Sequence, residues 1–192
     1  MSKKYKILAI AGKAGSGKDT LLREVCNSEV PINEIISYTT RPIREREEDG
    51  VNYHFVSSAE FLDMVFKNKM LEDSNFNGWW YGTSIDALRT DMVNVGVFNP
   101  EGIRSLLKCP DVDVYAVYVR AADKIRLQRQ LDREEDPNCH EIARRFLADD
   151  KDFDNLDFEY KILYNETLAD LAVNIERLLD IVEMWQREDK ID

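Results

Sequence analysis

The chain has 192 residues, of which 44% are hydrophobic and 33% are charged, and its formal net charge is −11. This length suffices for one domain with a sizeable core. The acidic balance argues against a general nucleic-acid-binding surface, although a small nucleotide needs only a local cluster of cations. No apolar run is long enough to span a membrane. The apolar run near the N-terminus leads directly into a glycine loop, which indicates a buried strand rather than a signal peptide.

The chain has three cysteines, Cys26, Cys109 and Cys139. Their odd number and the lack of a CxxC spacing fit a reducing cytoplasm and predict no zinc site.

Hydrophobic periodicity predicts strands and helices that alternate along the chain. Strands are expected at 5–11, 34–40, 51–56, 76–84, 93–98, 112–121 and 158–165. Helices are expected at 18–27, 57–70, 85–93, 100–108, 122–131, 139–153 and 166–185. This alternation predicts an α/β fold with a parallel sheet covered by helices on both faces. The tail at 186–192 is expected to fray.

The stretch "AGKAGSGKDT", residues 11–20, follows the first predicted strand and opens the first predicted helix. Gly12, Gly17 and Lys18 match a phosphate-binding loop, in which backbone N–H groups and the helix N-terminus point at phosphates. Lys18 would contact the outer phosphates. The alternative is an ordinary tight turn with a solvated lysine. The residues expected to bind ATP here are Gly12, Ala14, Gly15, Ser16, Gly17, Lys18, Asp19 and Thr20.

Two further stretches, "SYTTRPIREREEDGVNYHFVSSAEF" and "LEDSNFNGWWYGTS", resemble the acceptor-binding segment of guanylate kinases, which implies a nucleoside monophosphate as the acceptor. Arg41 and Arg44 lie in one loop, and planar guanidinium groups suit a doubly charged phosphate. Tyr53 and Tyr81 can each add a hydroxyl. A carboxylate such as Glu72 can accept both donors on one edge of guanine. The alternatives are a solvated loop of weak ion pairs, aromatic packing and a surface acid.

Together these stretches resemble guanylate kinases, and the resemblance covers nearly the whole chain. It implies a single domain of the P-loop NTPase fold. An acceptor-binding subdomain at about 36–85 and a helical lid at about 133–146 would be inserted into a core of 1–35, 86–132 and 147–192. The residues that it implies for the acceptor site are Ser37, Arg41, Arg44, Tyr53, Glu72, Tyr81, Thr83 and Asn99. Arg46 is an additional cation without an assigned role.

The resemblance also implies a lid that closes over the triphosphate. Arg129, Arg133 and Arg145 align with the lid arginines, with Arg144 as an alternative to Arg145. These cations would surround the transferred phosphoryl group. Asn165 lies where the family contacts the adenine of ATP. The alternative for the lid is a solvated pair of helices with ion pairs along them.

The chain departs from the family at the strand end before residue 100. The family has Asp-x-Asp there, whereas this chain has Val97 and Asn99, followed by Glu101 and Gly102. Asn99 offers one acceptor and two donors, which leaves broader base selection open.

Asp19 stands in the phosphate loop where Ser or Thr is usual. One hypothesis is that it supplies the carboxylate for Mg²⁺ that the strand end lacks. The other is that it caps the first helix.

The resemblance implies a kinase that transfers the γ-phosphoryl group of ATP to GMP or dGMP, with Mg²⁺ accompanying ATP. Broader selection of deoxynucleoside monophosphates is an alternative within this class. A non-catalytic guanylate-kinase-like module that binds phosphopeptides is an alternative outside it, disfavoured by the retained Lys18. Small nucleotides are the expected partners, in the cytoplasm, with no nucleic acid and no membrane.

Overall fold

The computed structural model describes residues 4–76, 78–133 and 135–188. Its strands are β1 Tyr5–Ala11, β2 Ile32–Glu34, β3 Tyr38–Thr39, β4 His54–Phe55, β5 Met70–Phe76, β6 Trp79–Ser84, β7 Val93–Val97, β8 Val112–Arg120 and β9 Lys161–Tyr164. Its helices are α1 Lys18–Cys26, α2 Ser58–Phe66, α3 Pro100–Lys108, α4 Asp123–Leu131, α5 Cys139–Asp152 and α6 Leu168–Glu188, and Ile85–Ala87 forms a 3-10 turn. No helix within these described ranges combines the length and apolar character needed to cross a membrane.

The main sheet has five parallel strands in the order β2-β7-β1-β8-β9. The last five residues of the central strand β1 are all buried. Leu8 and Ile10 belong to a core cluster that contains Leu178 of α6, whereas Ile7 belongs to a second cluster that contains Ile103 of α3. Alternate residues of β1 therefore serve two cores on opposite faces, as expected for a parallel sheet covered on both sides. The carboxyl ends of these strands meet at one edge.

A second sheet, formed within residues 38–84, has the order β4-β3-β6-β5. β3 pairs with β4 in parallel, and the other neighbouring pairs are antiparallel. Glu72 and Ser74 of β5 are both buried and lie two residues apart, so they face the same side of this sheet. That side faces the carboxyl edge of the main sheet.

Two predicted strands differ from the structure. The run 34–40 is divided between the sheets, because Glu34 ends β2 and Tyr38 begins β3. The run 51–56 contributes only His54–Phe55. Both segments carry apolar residues at strand spacing, but this pattern contains no information on which sheet a residue joins.

Two predicted helices are also shorter than expected. The helix predicted at 57–70 ends at Phe66 because Asn68 takes a left-handed backbone conformation with φ 52°, and the missed strand β5 follows. The helix predicted at 85–93 is only the 3-10 turn. Asn94 accounts for this difference, since its buried amide bonds both the N–H and the C=O of Arg89 and folds the following loop. Residues 186–188 continue α6, and 189–192 lie outside the described residues.

Candidate active site

A cavity of about 710 Å³ lies between the carboxyl edge of the main sheet, the second sheet and α5. The predicted site residues that line it are Gly12, Ala14, Gly15, Lys18, Asp19, Thr20, Ser37, Arg41, Arg44, Tyr53, Glu72, Tyr81, Asn99, Arg133 and Arg145. The predicted site residues outside its lining are Ser16, Gly17, Thr83, Arg129 and Asn165. One cavity thus joins the phosphate loop to the arginine loop and to the buried carboxylate of Glu72.

The phosphate loop turns between β1 and α1 through two left-handed residues. Gly15 has φ 78° and Gly17 has φ 88°, a region that non-glycine residues rarely adopt. A side chain at Gly15 would also collide with the backbone of Arg126, and one at Gly17 with the amide of Asn165. The spacing of these glycines is therefore imposed by the close approach of α4 and of the end of β9.

Arg129 and Asn165, which are both predicted to contact ATP, form hydrogen bonds with the backbone of the phosphate loop. The Arg129 guanidinium donates to the carbonyl oxygens of Gly15 at 3.3 Å, Ser16 at 3.2 Å and Asn165 at 2.9 Å. Asn165 Nδ2 donates to Ser16 O at 2.9 Å, and Asn165 Oδ1 is buried without a hydrogen-bond partner among the described residues. Arg129 thus differs from the expected catalytic lid arginine, because its guanidinium is engaged by backbone carbonyls outside the cavity lining. Asn165 Oδ1 is thus buried outside the cavity lining and does not face the cavity.

A buried ion pair that sequence reasoning missed ties the loop to α5. Arg126 is 1% exposed and donates to Ala14 O at 3.0 Å, to Asp123 at 2.7 Å and to Asp149 at 3.1 Å. Asp149 also accepts from Ala14 N at 2.6 Å. The Arg126 guanidinium lies 4.5 Å from the ring centroid of Phe146. Asp149 stands in the acidic run "ADDKD", where no pattern distinguishes it from solvated neighbours.

Lys18 and Asp19 open α1 on the cavity side of the loop. Lys18 Nζ lies 3.4 Å from Asp19 Oδ2, and 66% of the Asp19 side chain is accessible within the open cavity. Desolvation by the cavity walls opposes ionisation of Asp19, but the cations Lys18 and Arg133 outweigh it and hold its pKa below the ordinary value. The N-cap of α1 is Gly17, and no side chain caps this helix. The capping hypothesis for Asp19 therefore has no hydrogen bond to support it.

The arginine loop carries its own counter-ion, Glu47. Arg41 is 5% exposed and forms a two-pronged pair with Glu47, with distances of 2.9 and 2.8 Å. Glu47 also accepts from the backbone N–H of Arg44 at 2.9 Å. The ring of Tyr53 lies 5.5 Å from the Arg41 guanidinium and 5.9 Å from the ring of Tyr81. Two guanidinium groups and two phenol rings thus converge on one part of the cavity.

The part of the second sheet around Glu72, away from the arginine loop, is suited to a nucleobase. Glu72 is 6% exposed, and burial raises its pKa to about 7, although a hydrogen bond from Thr83 partly opposes the shift. The hydroxyls of Ser37 and Thr83 lie 3.3 Å apart. Asn99 donates to Ser74 at 2.8 Å, and Ser74 is a residue that sequence reasoning did not assign. The predicted base-binding residues are therefore brought together.

Of the predicted lid arginines, α5 carries Arg145 and its alternative Arg144. Arg145 lines the cavity and donates to Glu141 at 2.7 Å, and Arg144 donates to the same carboxylate at 2.7 and 2.9 Å. These bonds, with that from Arg144 foremost, lower the pKa of Glu141 to about 2. The Arg144 guanidinium also lies 5.4 Å from the ring of Trp79 in β6. Arg133 is exposed at the cavity wall. Arg144 lines the cavity as well, so both candidates for this lid arginine border the site.

Within the described ranges, no three His, Cys, Asp or Glu side chains are arranged to hold a metal ion by themselves. Val97 and Asn99 line the cavity without contributing a carboxylate. Asp19 is therefore the acid nearest to the Lys18 ammonium on the open side of the loop, with Thr20 beside it in the lining. Such a set suits an ion that keeps most of its ligands from phosphate and water.

Comparisons with known proteins agree with this geometry. The sequence pattern of the guanylate kinase family matches residues 4–182. A guanylate kinase of Helicobacter hepaticus is 30% identical over 198 aligned residues, covering 95% of this chain and 99% of the relative. One of Prochlorococcus marinus is 28% identical and covers 93% and 99%. The crystal structure of a guanylate kinase from Anaplasma phagocytophilum is similar in fold, with a TM-score of 0.66 at 18% identity, covering 96% of this chain and 88% of that one.

Proposed function

Because the chain belongs to the guanylate kinase family, we propose that it transfers the γ-phosphoryl group of ATP to GMP or dGMP, giving ADP and GDP or dGDP. One observation carries this proposal. A single cavity connects a glycine-rich phosphate loop with an arginine pair and a buried carboxylate. A nucleoside monophosphate bound between the last two would present its phosphate toward the loop.

On the donor side, the backbone N–H groups of the loop and Lys18 would hold the outer phosphates of ATP. The family resemblance assigns the amino group of adenine to Asn165, whose buried Oδ1 would have to become accessible when ATP binds. Arg129 would act as a positioning residue. Its guanidinium donates to the carbonyl oxygens of Gly15 and Ser16, which would leave the N–H groups of the loop directed toward the phosphates.

On the acceptor side, Arg41 and Arg44 with Tyr53 and Tyr81 would bind the phosphate of GMP. Glu72 would accept from N1–H and N2–H₂ of guanine. Ser37, Thr83 and Asn99 would complete the base pocket, with Thr83 acting mainly through its hydrogen bond to Glu72.

The reaction needs no covalent intermediate, since the acceptor phosphate is already ionised. The protein would contribute alignment of the two phosphates and cations around the transferred group. Lys18, Arg133 and Arg145 are the residues that we assign to this charge stabilisation. Closure of the lid would exclude water and limit hydrolysis of ATP.

Mg²⁺ accompanying ATP would neutralise phosphate charge. We assign Asp19 as the carboxylate on its side, directly or through water, because Asp19 is open to the cavity and has no capping bond. Thr20 would retain a supporting hydroxyl.

The proposed division of the single domain is a core of 1–35, 86–132 and 147–192, an acceptor-binding subdomain at about 36–85 and a lid at about 133–146. The second sheet, formed within 38–84, and the α5 arginines support this division. Free thiols at Cys26, Cys109 and Cys139 support a cytoplasmic setting.

ADP release, measured with GMP, dGMP, AMP, dTMP and dCMP as acceptors, tests the proposal. We expect turnover with GMP and dGMP and at most weak turnover with the other three. A matched Lys18→Ala protein should be inactive with every acceptor. Binding of GMP without ADP release would support the binding module instead.

A further inference from the structure

The side-chain amide of Asn99 has a defined orientation. Its oxygen accepts from the backbone N–H of Gly102 at 2.8 Å and so caps the N-terminus of α3. A backbone N–H can only donate, so the amide oxygen must lie on this side and the NH₂ group on the other. The NH₂ group therefore donates to Ser74 Oγ at 2.8 Å. The amide cannot rotate without leaving the start of the helix uncapped.

This orientation of the Asn99 amide excludes Asn99 as an acceptor for the Ser74 hydroxyl proton. A serine hydroxyl has one proton to donate and two lone pairs to accept with. Since Asn99 occupies a lone pair, the hydroxyl proton is directed elsewhere. A carboxylate at position 99 would have the opposite effect, because it would cap α3 with one oxygen and draw the serine proton with the other. The amide at position 99 thus frees a hydroxyl donor.

Ser74 lies in the cavity wall at a defined place relative to Glu72. The side chain is 4% exposed and lines the cavity on the same face of β5 as Glu72. Glu72 pairs across the sheet with Thr83, whereas Ser74 pairs with Tyr81. Tyr81 contacts Tyr53 beside the arginine loop. Ser74 therefore lies between the carboxylate and the phosphate-binding end.

In guanine, N1–H and N2–H₂ are the donors that Glu72 would accept, and the next atom toward the sugar is N3, an acceptor. We propose that Ser74 is a specificity-determining residue whose hydroxyl, oriented by Asn99, donates a hydrogen bond to N3 of the bound guanine. This inference rests on the proposed function. It adds a donor to N3 beside the acceptor that Glu72 offers to N1–H and N2–H₂.

The test compares Ser74→Ala with wild type on GMP, dGMP and the 3-deaza analogue of GMP, in which a C–H group replaces N3. With GMP and dGMP, we expect kcat/KM and the affinity from calorimetry to fall about three- to tenfold, the effect of one neutral hydrogen bond. With the 3-deaza analogue, the two proteins should be equal. Ser84→Ala, a change of another buried serine that lies outside the cavity lining, is the matched control and should leave all three values unchanged.

A second variant tests the orientation by Asn99. In an Asn99→Asp background, the loss caused by Ser74→Ala should disappear, because the serine proton is already drawn to the carboxylate. Three results would overturn the inference: no loss with GMP, an equal loss with the 3-deaza analogue, or a loss confined to GMP and absent with dGMP, which would place the contact on the 2′-hydroxyl. Wild type that binds no GMP in calorimetry would instead overturn the proposed function and this inference with it.

Discussion

Removal of the Arg126 guanidinium should both destabilise the protein and weaken its use of ATP. Arg126→Met keeps much of the apolar stem but leaves the Asp149 carboxylate with only the N–H of Ala14 as a described hydrogen-bond partner. The two side chains are 2% and 4% accessible, so water cannot replace the lost partner without rearrangement. Breaking a buried pair from one side typically costs about 3–5 kcal/mol. For a chain of this size, we expect the melting temperature to fall by about 10 °C.

The effect on ATP has a separate cause. Arg126 donates to the carbonyl oxygen of Ala14, and Asp149 accepts from its N–H group. Loss of these bonds should therefore let the phosphate loop shift. A shift of about 1 Å in aligned groups can cost up to about a hundredfold in rate. We therefore expect kcat/KM for ATP to fall at least about tenfold, whereas the affinity for GMP, measured by calorimetry, should stay close to wild type.

The double variant Arg126→Met/Asp149→Leu separates these two effects. Replacing both partners by apolar groups should recover most of the lost melting temperature. It should not recover kcat/KM for ATP, because the N–H of Ala14 then lacks its acceptor. Lys13→Gln is the control, since the pair of Lys13 with Asp150 is partly exposed and should contribute less than about 1 kcal/mol. Recovery of ATP use together with stability would refute a positioning role for the pair.

Three further outcomes are expected. Lys18→Ala should lower kcat about a hundredfold or more through loss of charge stabilisation, with GMP affinity retained; near-normal turnover would contradict our assignment of the loop. Burial raises the pKa of Glu72 to about 7, and in the proposed function guanine would bind the ionised form, so the KM for GMP should rise about tenfold between pH 8 and pH 6. Glu72→Gln should weaken GMP binding and remove this part of the pH dependence, and the phosphate of GMP, which titrates equally in both proteins, cancels in the comparison. Asp19→Ala should shift the Mg²⁺ midpoint of activity to higher concentration without lowering the melting temperature, and the reverse pattern would make Asp19 a stabilising residue of α1.

Local signals in the sequence predicted the parts of the site that depend on local geometry. The turn from β1 to α1 follows from the glycines at 15 and 17, whose backbone only glycine adopts readily. The predicted start of α3 at Pro100 agrees with the structure, where Asn99 is the N-cap and Pro100 the first-turn proline. Such features are confined to neighbours in the chain, and the structure confirms the elements that they predict.

Features that depend on distant residues escaped prediction. The chain passes from the main sheet to the second sheet between Glu34 and Tyr38, and no local pattern marks this change. β5 mixes polar and apolar residues because one of its faces lines a cavity rather than a core. Asp149 is buried only because Arg126, 23 residues earlier, lies opposite it. In each case the determining partner is remote in sequence.

The structure also explains how a protein with a net charge of −11 keeps a cationic cavity. Carboxylates within the site hold the arginines in place, Glu47 against Arg41 and Glu141 against Arg145. Burial and the neighbouring Arg41 guanidinium lower the pKa of Arg44, because the cations of the cavity lie close together. In the proposed function, a bound phosphate would relieve this repulsion and would compete with Glu47 and Glu141 for the same guanidinium groups. Binding energy from the nucleotides would then be available to redirect Arg145 from Glu141 toward the phosphates, which would couple occupancy of the cavity to the arrangement of the proposed lid.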